Sequence, residues 1–381
     1  MKGFNKSFIA ALSYYLLFCL YIMTKIDWYI LRKFISTFIY SLSILLVISI
    51  VIDITEKIDD FMNSNLSLYR IVVDYYFGFI PYIAALLFPL FIFISVIFFT
   101  SKMAYRTEIV AILCSGVSFR RFLRPYWVGA FLFGTLLWAG NRWTVPTANR
   151  VRNKFESEYV DRKKTQQNIY DKTMRIDSFT YITFGSYDPN YKSGGNFMLE
   201  DIRGQQMFRK LKADRIAWDS VTKKWKLNFV TIRTIDGLKE HWVNSPDTSI
   251  SIRLRPEEMK EEKNKEQAMT TPELNRYINR EELKGAEGLN VLYVERYRRT
   301  SSAAAVVILT LIGAIIASKK VRGGSGLHLA VGIVISASYI IFLQFSTVFS
   351  IKADLNPLLA VWIPNFMFGL LAFWLYFRAP K

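Results

Sequence analysis

The sequence predicts a polytopic α-helical membrane protein, six transmembrane helices in a 3+3 order with an all-β domain inserted between the two sets. Three observations predict it. The 381 residues are 52% hydrophobic and 16% aromatic, yet they carry 49 Lys and Arg against 31 Asp and Glu. Apolar and charged residues are segregated along the chain instead of being interleaved, as they are where helices must sit in hydrocarbon. The basic excess is also uneven: residues 146–297 hold 28 basic and 23 acidic side chains, which leaves +13 of the total +18 beside the apolar stretches. Cations flanking long apolar runs suit the anionic headgroups of a bilayer, so a membrane is expected as partner and nucleic acid is not.

Uncharged windows run over residues 34–52, 75–101, 125–141, 300–318, 323–351 and 355–377. At 1.5 Å per residue, about 20 residues cross a hydrocarbon layer of about 30 Å, and shorter windows draw on snorkelling flanks. Backbone amides have no water partner there, so each window is expected to be helical. Residues 1–24 are an uncertain apolar extension: 8–22 barely crosses, and an interfacial segment or a true start at Met23 is the expectation.

Orientation follows from the short loops. Lys25, Arg32 and Lys33 precede the first window, Lys102, Arg106, Arg120, Arg121 and Arg124 lie between the second and third, Lys319, Lys320 and Arg322 follow the fourth, and Arg378 and Lys381 end the chain. All fall on one side, which the positive-inside rule makes cytoplasmic. The opposite loops carry Asp53, Glu56, Asp59, Asp60 and Asp354. Residues 25–145 thus hold helices one to three with a cytoplasmic helix near 104–116, and 299–381 hold helices four to six, with both termini cytoplasmic.

Residues 146–270 read as the β domain. The segment Ser249-Ile250-Ser251-Ile252-Arg253-Leu254-Arg255 alternates cleanly. Trp225, Leu227, Phe229 and Ile232 nearly do, with one slip that a bulge would explain. The stretch 179–184 and the residues around Phe197 and Leu199 add strands, and Asp188-Pro189-Asn190, Ser193-Gly194-Gly195 and Asp236-Gly237 read as turns. A sandwich, jellyroll or open barrel is expected. Residues 271–298 form a connector helix, opened by Thr271 as N-cap, Pro272 and an early Glu273.

Several chemistries find no motif. There is no G-x-x-x-x-G-K-[ST], and the cluster Gly323-Gly324-Ser325-Gly326 lacks the lysine and follows a membrane helix instead of a strand. Cys19 and Cys114 lie far apart, His241 and His328 are the only histidines, and no catalytic triad or H-E-x-x-H occurs. No catalytic residue, metal site or cofactor is therefore expected. The uncharged windows also lack the midplane acids of an ion-coupled carrier, so any work must be supplied by a partner. The loop between the second and third windows offers the place. Ile109, Ile112 and Leu113 share a helical face, Gly116 can end that helix, and Glu108 is the only acid among five cations. That carboxylate suits an Arg in a motor protein's groove, and equally a local ion pair with Arg106 or Lys102.

These residues and their order resemble the LptF/LptG (YjgP/YjgQ) family of lipopolysaccharide export permeases. The resemblance rests on 27–34 (Asp-Trp-Tyr-Ile-Leu-Arg-Lys-Phe), 53–61 after the first window, Leu87-Phe88-Pro89-Leu90, 107–118 with Glu108 and Gly116, Val145-Pro146-Thr147-Ala148-Asn149, Arg322-Gly323-Gly324 and Trp362-Ile363-Pro364-Asn365. It implies a non-catalytic subunit paired with a paralogous permease in an LptF/LptG-type heterodimer. An LptB-type cytoplasmic ATPase dimer would drive it, and it would pass lipopolysaccharide from the inner membrane to periplasmic LptC/LptA-type jellyroll proteins. It makes Glu108, with Ile109, Ile112, Leu113 and Gly116, the ATPase-coupling helix, and makes the first and fifth helices a lateral gate.

One departure bears on lipid recognition: Asp53 stands where some members place a cation. Lys57, Arg70, Arg142, Arg298 and Arg299 remain as candidates for lipid phosphates through charge-assisted hydrogen bonds, or as ordinary interfacial anchors. Trp225, Leu227 and Phe229 are candidates for an acyl-chain groove, or plain domain core. A membrane-anchored periplasmic adaptor without transport is the binding-module rival, which six long helices disfavour. A lipid-modifying enzyme is the other, with Asp53, Glu56, Asp59 and Asp60 as its only local acids.

Overall fold

The computed structural model describes residues 23–379, apart from 64–65, 161–168, 260–263, 321–323 and positions 178, 205, 238, 253, 285 and 287. The expectations for residues 1–22 and for Arg322 and Gly323 lie outside the described residues.

Long apolar stretches form long helices. α1 spans Lys25–Asn63, α2 Leu68–Tyr105 with a π-helical turn at Val72–Tyr76, and α3 Glu108–Cys114. A single turn, α4, covers Phe119–Phe122. α5 is Arg124–Ala139, and a π turn at Gly140–Thr144 carries it into α6, Val145–Phe155. After the β domain come α7 (Thr271–Lys284), α8 (Asn290–Ala317), α9 (Gly324–Lys352) and α10 (Pro357–Phe377).

Among the described residues five helices, α1, α2, α8, α9 and α10, are long and apolar enough to cross a membrane. The third expected window corresponds to α5, whose 16 residues reach only about 24 Å. It falls short because the ladder changes to π spacing at Gly140, and the chain then turns polar through Asn149, Arg150 and Arg152. α8 runs through the middle of the helical set, packed against α2, α5, α9 and α10. Its Leu309, Ile312 and Ala305 share a core with Phe93 and Ile97 of α2. On the other side of α2, a core of Phe34, Phe38, Phe88, Phe99, Tyr126 and Phe133 joins α1 to α5. The backbones approach closely at small residues, as membrane helices require: a Cβ on Gly129 would lie 2.5 Å from the Phe34 ring.

The six strands are β1 (Ile169–Arg175), β2 (Thr180–Asp188), β3 (Ser193–Arg203), β4 (Gln206–Asp219), β5 (Lys224–Asp236) and β6 (Lys239–Ile250). They pair in chain order into one antiparallel sheet. Its core is built from Ile182, Phe184, Phe197, Leu211, Ile216, Trp225 and Leu227, with Leu254 and Met259 from the segment beyond β6.

Three local expectations are corrected. Ser193-Gly194-Gly195 is no turn: it starts β3, where Gly194 pairs with Tyr187 and Ile216, and a Cβ there would lie 2.6 Å from the Ser186 carbonyl oxygen. The strand expected at 249–255 ends at Ile250; Ile252 and Leu254 continue the inward pattern as unpaired chain. The helix cap of α7 is Thr270, one residue earlier than expected. Glu273, at the third helical position, accepts the Thr270 N–H at 2.8 Å, a capping-box arrangement.

The slip in β5 is not a bulge. On both sides of Phe229 the register is unchanged, with Asn228 opposite Asp247 and Val230 opposite Ser245, yet Phe229 itself has no registered partner and its φ is +54°. The same omission recurs on every strand, at Asp171, Gly185, Asn196, Asp214, Phe229 and Pro246. Asp171 and Asn196 have φ of +47° and +50°. The six positions make one crease across the sheet. The buried set moves by three instead of two as each of the four inner strands passes it: Phe184 to Tyr187, Gly194 to Phe197, Ala213 to Ile216, Leu227 to Val230. Pro246 sits on the edge strand, where a missing N–H breaks no ladder.

Candidate functional site

The loop helix forms as its spacing predicts. Thr107 enters it in the left-handed region at φ +59°, and Gly116, at φ +88°, ends it just after Ser115 N–H bonds to the Ala111 carbonyl. Glu108 sits in the first turn, where a carboxylate complements the helix dipole. Its partner is neither Arg106 nor Lys102. Lys33 of α1 lies 3.4 Å from Glu108 Oε2, the Tyr29 hydroxyl donates to the same oxygen at 3.1 Å, and Lys33 also donates to Tyr29. Ile109 is buried, and Ile112 and Leu113 pack against the same core, so the apolar face holds α3 to its own chain. The outward face is Thr107, Val110, Ala111 and the free thiol of Cys114.

The candidate phosphate ligands divide sharply. Lys57 is enclosed: its ammonium lies 3.1 Å from Asp53 and 2.9 Å from Glu156, and it donates to the Tyr75 hydroxyl. Asp53, in turn, accepts from Tyr75 at 2.9 Å and Tyr76 at 3.1 Å. Tyr75 and Tyr76 belong to one π turn and Glu156 opens another, at Glu156–Val160, so two irregular turns grip the far end of α1. Arg70 makes an exposed pair with Asp74 at 3.3 Å. Arg142 stacks on Trp138 and Trp143, its guanidinium carbon 5.3 and 5.1 Å from their ring centroids.

Arg298 and Arg299 share one carboxylate. Arg298 holds Glu295 Oε2 through two donors, at 2.9 and 2.6 Å, and Arg299 holds Oε1 at 2.9 Å. Arg299 also reaches Thr271 and the Glu266 carbonyl, tying α8 to the start of α7. Burial, reinforced by Glu295, pushes the Glu266 carboxyl above its ordinary value. Glu273 moves the other way: the Thr270 amide, and beyond it Arg150 at 2.5 Å, hold its carboxyl below the usual range. Below this cluster a cavity of about 290 Å³ runs between α2, α8 and α9. A second, open depression of about 540 Å³ lies on α1 alone, lined by Trp28, Arg32, Ile35, Ile39 and Tyr40.

In the β domain, Trp225 and Leu227 are wholly buried, and the Trp225 indole N–H donates to the Leu254 carbonyl at 2.9 Å. Both fill the sheet's own core, whereas Phe229, turned out at the crease, is 70% exposed. The three acyl-groove candidates are therefore not brought together on one face.

Sequence reasoning found Glu108 because it stands alone among cations. It missed Lys33 and Tyr29, whose pairing spans 75 and 79 positions, and it missed Glu295, Tyr75 and Tyr76. The alternation of acid and base at Asp53 and Lys57, one helical turn apart, was the available signal that the lysine is already neutralised.

Five apolar helices mark a multi-pass membrane protein, and two of them, α1 and α9, are the least buried: 6% and 22% of their apolar windows are covered by the rest of the chain. Among curated proteins no relative matches the chain. The profile of the family described as lipopolysaccharide export system permease LptF/LptG matches residues 28–378, both helical sets and the sheet between them. On that nearly complete match, the chain belongs to the LptF/LptG family of lipopolysaccharide export system permeases.

Proposed function

We propose that this chain is one permease subunit of an ATP-driven ABC transporter that extracts lipopolysaccharide from the inner membrane and passes it toward the outer membrane. The family match, spanning both helical sets and the inserted domain, is the observation that carries the reading. A paralogous permease completes the lipid cavity, an LptB-type ATPase dimer lies on the cytoplasmic face, and LptC/LptA-type jellyrolls receive the lipid. In this reading α5 with its π turn is the third of six spans, the sheet is a periplasmic jellyroll, and both termini are cytoplasmic.

The sparse burial of α1 and α9 supports assigning them to the lateral gate, since gate helices must present apolar surface to lipid and to the other half. The α3 helix is the coupling element. ATP binding closes the motor, α3 moves with it, and the Lys33–Glu108 pair carries that movement to the base of α1. The work comes from the partner; this chain supplies the gate, the cavity wall and the receiving sheet.

The test is purification of the tagged full chain in mild detergent, with identification of bound protein and lipid. An ATPase and a second permease-type chain are the expected companions. Recovery of neither would favour the adaptor reading. Glu108→Arg is expected to leave a folded protein that no longer couples ATP hydrolysis to export, and normal export by it would overturn the coupling assignment.

A further inference from the structure

The cavity between α2, α8 and α9 has the shape and polarity of a lipid slot within a single subunit. Along α8 its wall runs from Glu295 to Leu309, positions 14 apart and so about 21 Å of helix. A volume of about 290 Å³ matches part of one hydrocarbon chain and excludes two side by side. The polarity is graded. Leu86, Leu90, Leu309, Ile340 and Leu343 give the body most of its surface, with Ser336, Gln344 and Thr347 of α9 beside them, while Glu295, Arg298 and Arg299 bring the charge to the end nearest the connector.

That polar end has unmet bonding capacity of both kinds. Asn149 is 2% exposed, and its Oδ1 has no hydrogen-bond partner among the described residues; the buried Oε1 of Gln267, on the same wall, has none there either. Buried acceptors left unpaired are costly, and a ligand with N–H or O–H donors would satisfy them. Two guanidinium groups share the Glu295 carboxylate, and Arg298 spends Nε and Nη2 on it while Nη1 makes no bond among the described residues. A guanidinium with a free donor at the mouth of an apolar slot favours a phosphate.

We propose that this slot holds one resident membrane phospholipid: an acyl chain lies along α8, the phosphate rests on Arg298, and an ammonium or hydroxyl of the headgroup donates to Asn149 and Gln267. Every residue that lines the slot belongs to this chain. The site is independent of the export reading, since retention of the lipid requires no ATPase.

The experiment is native mass spectrometry of the full chain with whatever co-purifies, delipidated and then titrated separately with phosphatidylethanolamine, diacylglycerol, inorganic phosphate and lipopolysaccharide. One phosphatidylethanolamine per chain is expected to be retained, and diacylglycerol, which lacks the headgroup, at least about tenfold less. Ala85→Phe, which fills the slot from α2, is expected to cut retention about tenfold. Arg298→Gln is expected to keep the chain in place and erase the preference over diacylglycerol, so the proposal stays testable even if Ala85→Phe fails to fold. An unchanged preference for phosphatidylethanolamine over diacylglycerol in Arg298→Gln, displacement by inorganic phosphate, or equal occupancy by lipopolysaccharide would each overturn it; the last would make the slot part of the substrate route.

Discussion

Lys33 Nζ lies 3.4 Å from Glu108 Oε2, so the base of the first membrane helix is fastened to the first turn of the loop helix. Both side chains are about one-third exposed or less, and an ion pair of that kind contributes under about 1 kcal/mol to folding. Its value is geometric: it ties the first turn of α3 to the base of α1. Lys33→Glu and Glu108→Lys, each placing like charges in contact, are expected to lower export about tenfold or more. The double exchange should recover most of it, with melting temperatures unchanged within a few degrees. Export in complemented cells and thermal unfolding of the purified protein separate the two effects; a double variant as inactive as either single one would remove the pair from the coupling path.

Lys57 behaves as a counter-ion within the protein. Removing its charge leaves Asp53 and Glu156 facing each other across Tyr75 without a cation between them. Lys57→Met is expected to destabilise by about 2–4 kcal/mol, and Lys57→Met with Glu156→Gln by distinctly less, because Glu156, although Arg152 lies 3.8 Å from it, no longer repels Asp53 once it is neutral. Thermal unfolding in detergent reads both. Equal losses would mean that Lys57 acts through something other than this cluster.

Trp225 and Phe229 lie four residues apart on one strand and should respond oppositely. Trp225→Ala opens a cavity in the sheet's core and breaks the bond to the Leu254 carbonyl, for a loss of about 3–5 kcal/mol. Phe229→Gly removes an exposed ring from a left-handed residue and should stabilise by about 1 kcal/mol. Hydrogen exchange of the β5 amides in the full chain measures both signs at once.

Gly129 is fixed by the Phe34 ring, which cannot swing away from a Cβ 2.5 Å off because Phe99 and Phe133 hold it. Gly129→Ala is expected to cost about 1–3 kcal/mol by forcing α1 from α5. Gly140→Ala, with nothing within 4 Å of the new methyl, should be neutral or slightly stabilising. Detergent melting curves of the two variants distinguish helix contact from helix propensity.

The membrane plan was legible because hydrocarbon allows few alternatives: uninterrupted apolar windows became helices wherever the α ladder continued, and only the third was shortened, by the change of spacing at Gly140. Strands β2, β3 and β5 announced themselves through Phe184, Phe197 and Trp225. β4 did not, since Arg209, Lys210, Lys212 and Arg215 crowd its alternation, two of them pairing with Asp201 and Glu200 across the ladder. β6 is mostly exposed along its length and carries no apolar stripe to read. Glu108 could be found from its isolation in sequence, but its partner belongs to tertiary packing, as does the joining of Asn149, Gln267 and Arg298 from three separate segments. Side chains gathered from distant positions leave no local period.

The line from Asp171 to Pro246 gives the β domain a spine like that of a half-open book. Strand pairing resumes in the same register on either leaf, so sliding one strand past its neighbour stays forbidden, while bending about the line strains the fewest pairings. Phe184 and Trp225 stand on opposite leaves with ring centroids 6.4 Å apart, so one shared core fills the angle between the leaves and fixes how far the book stands open.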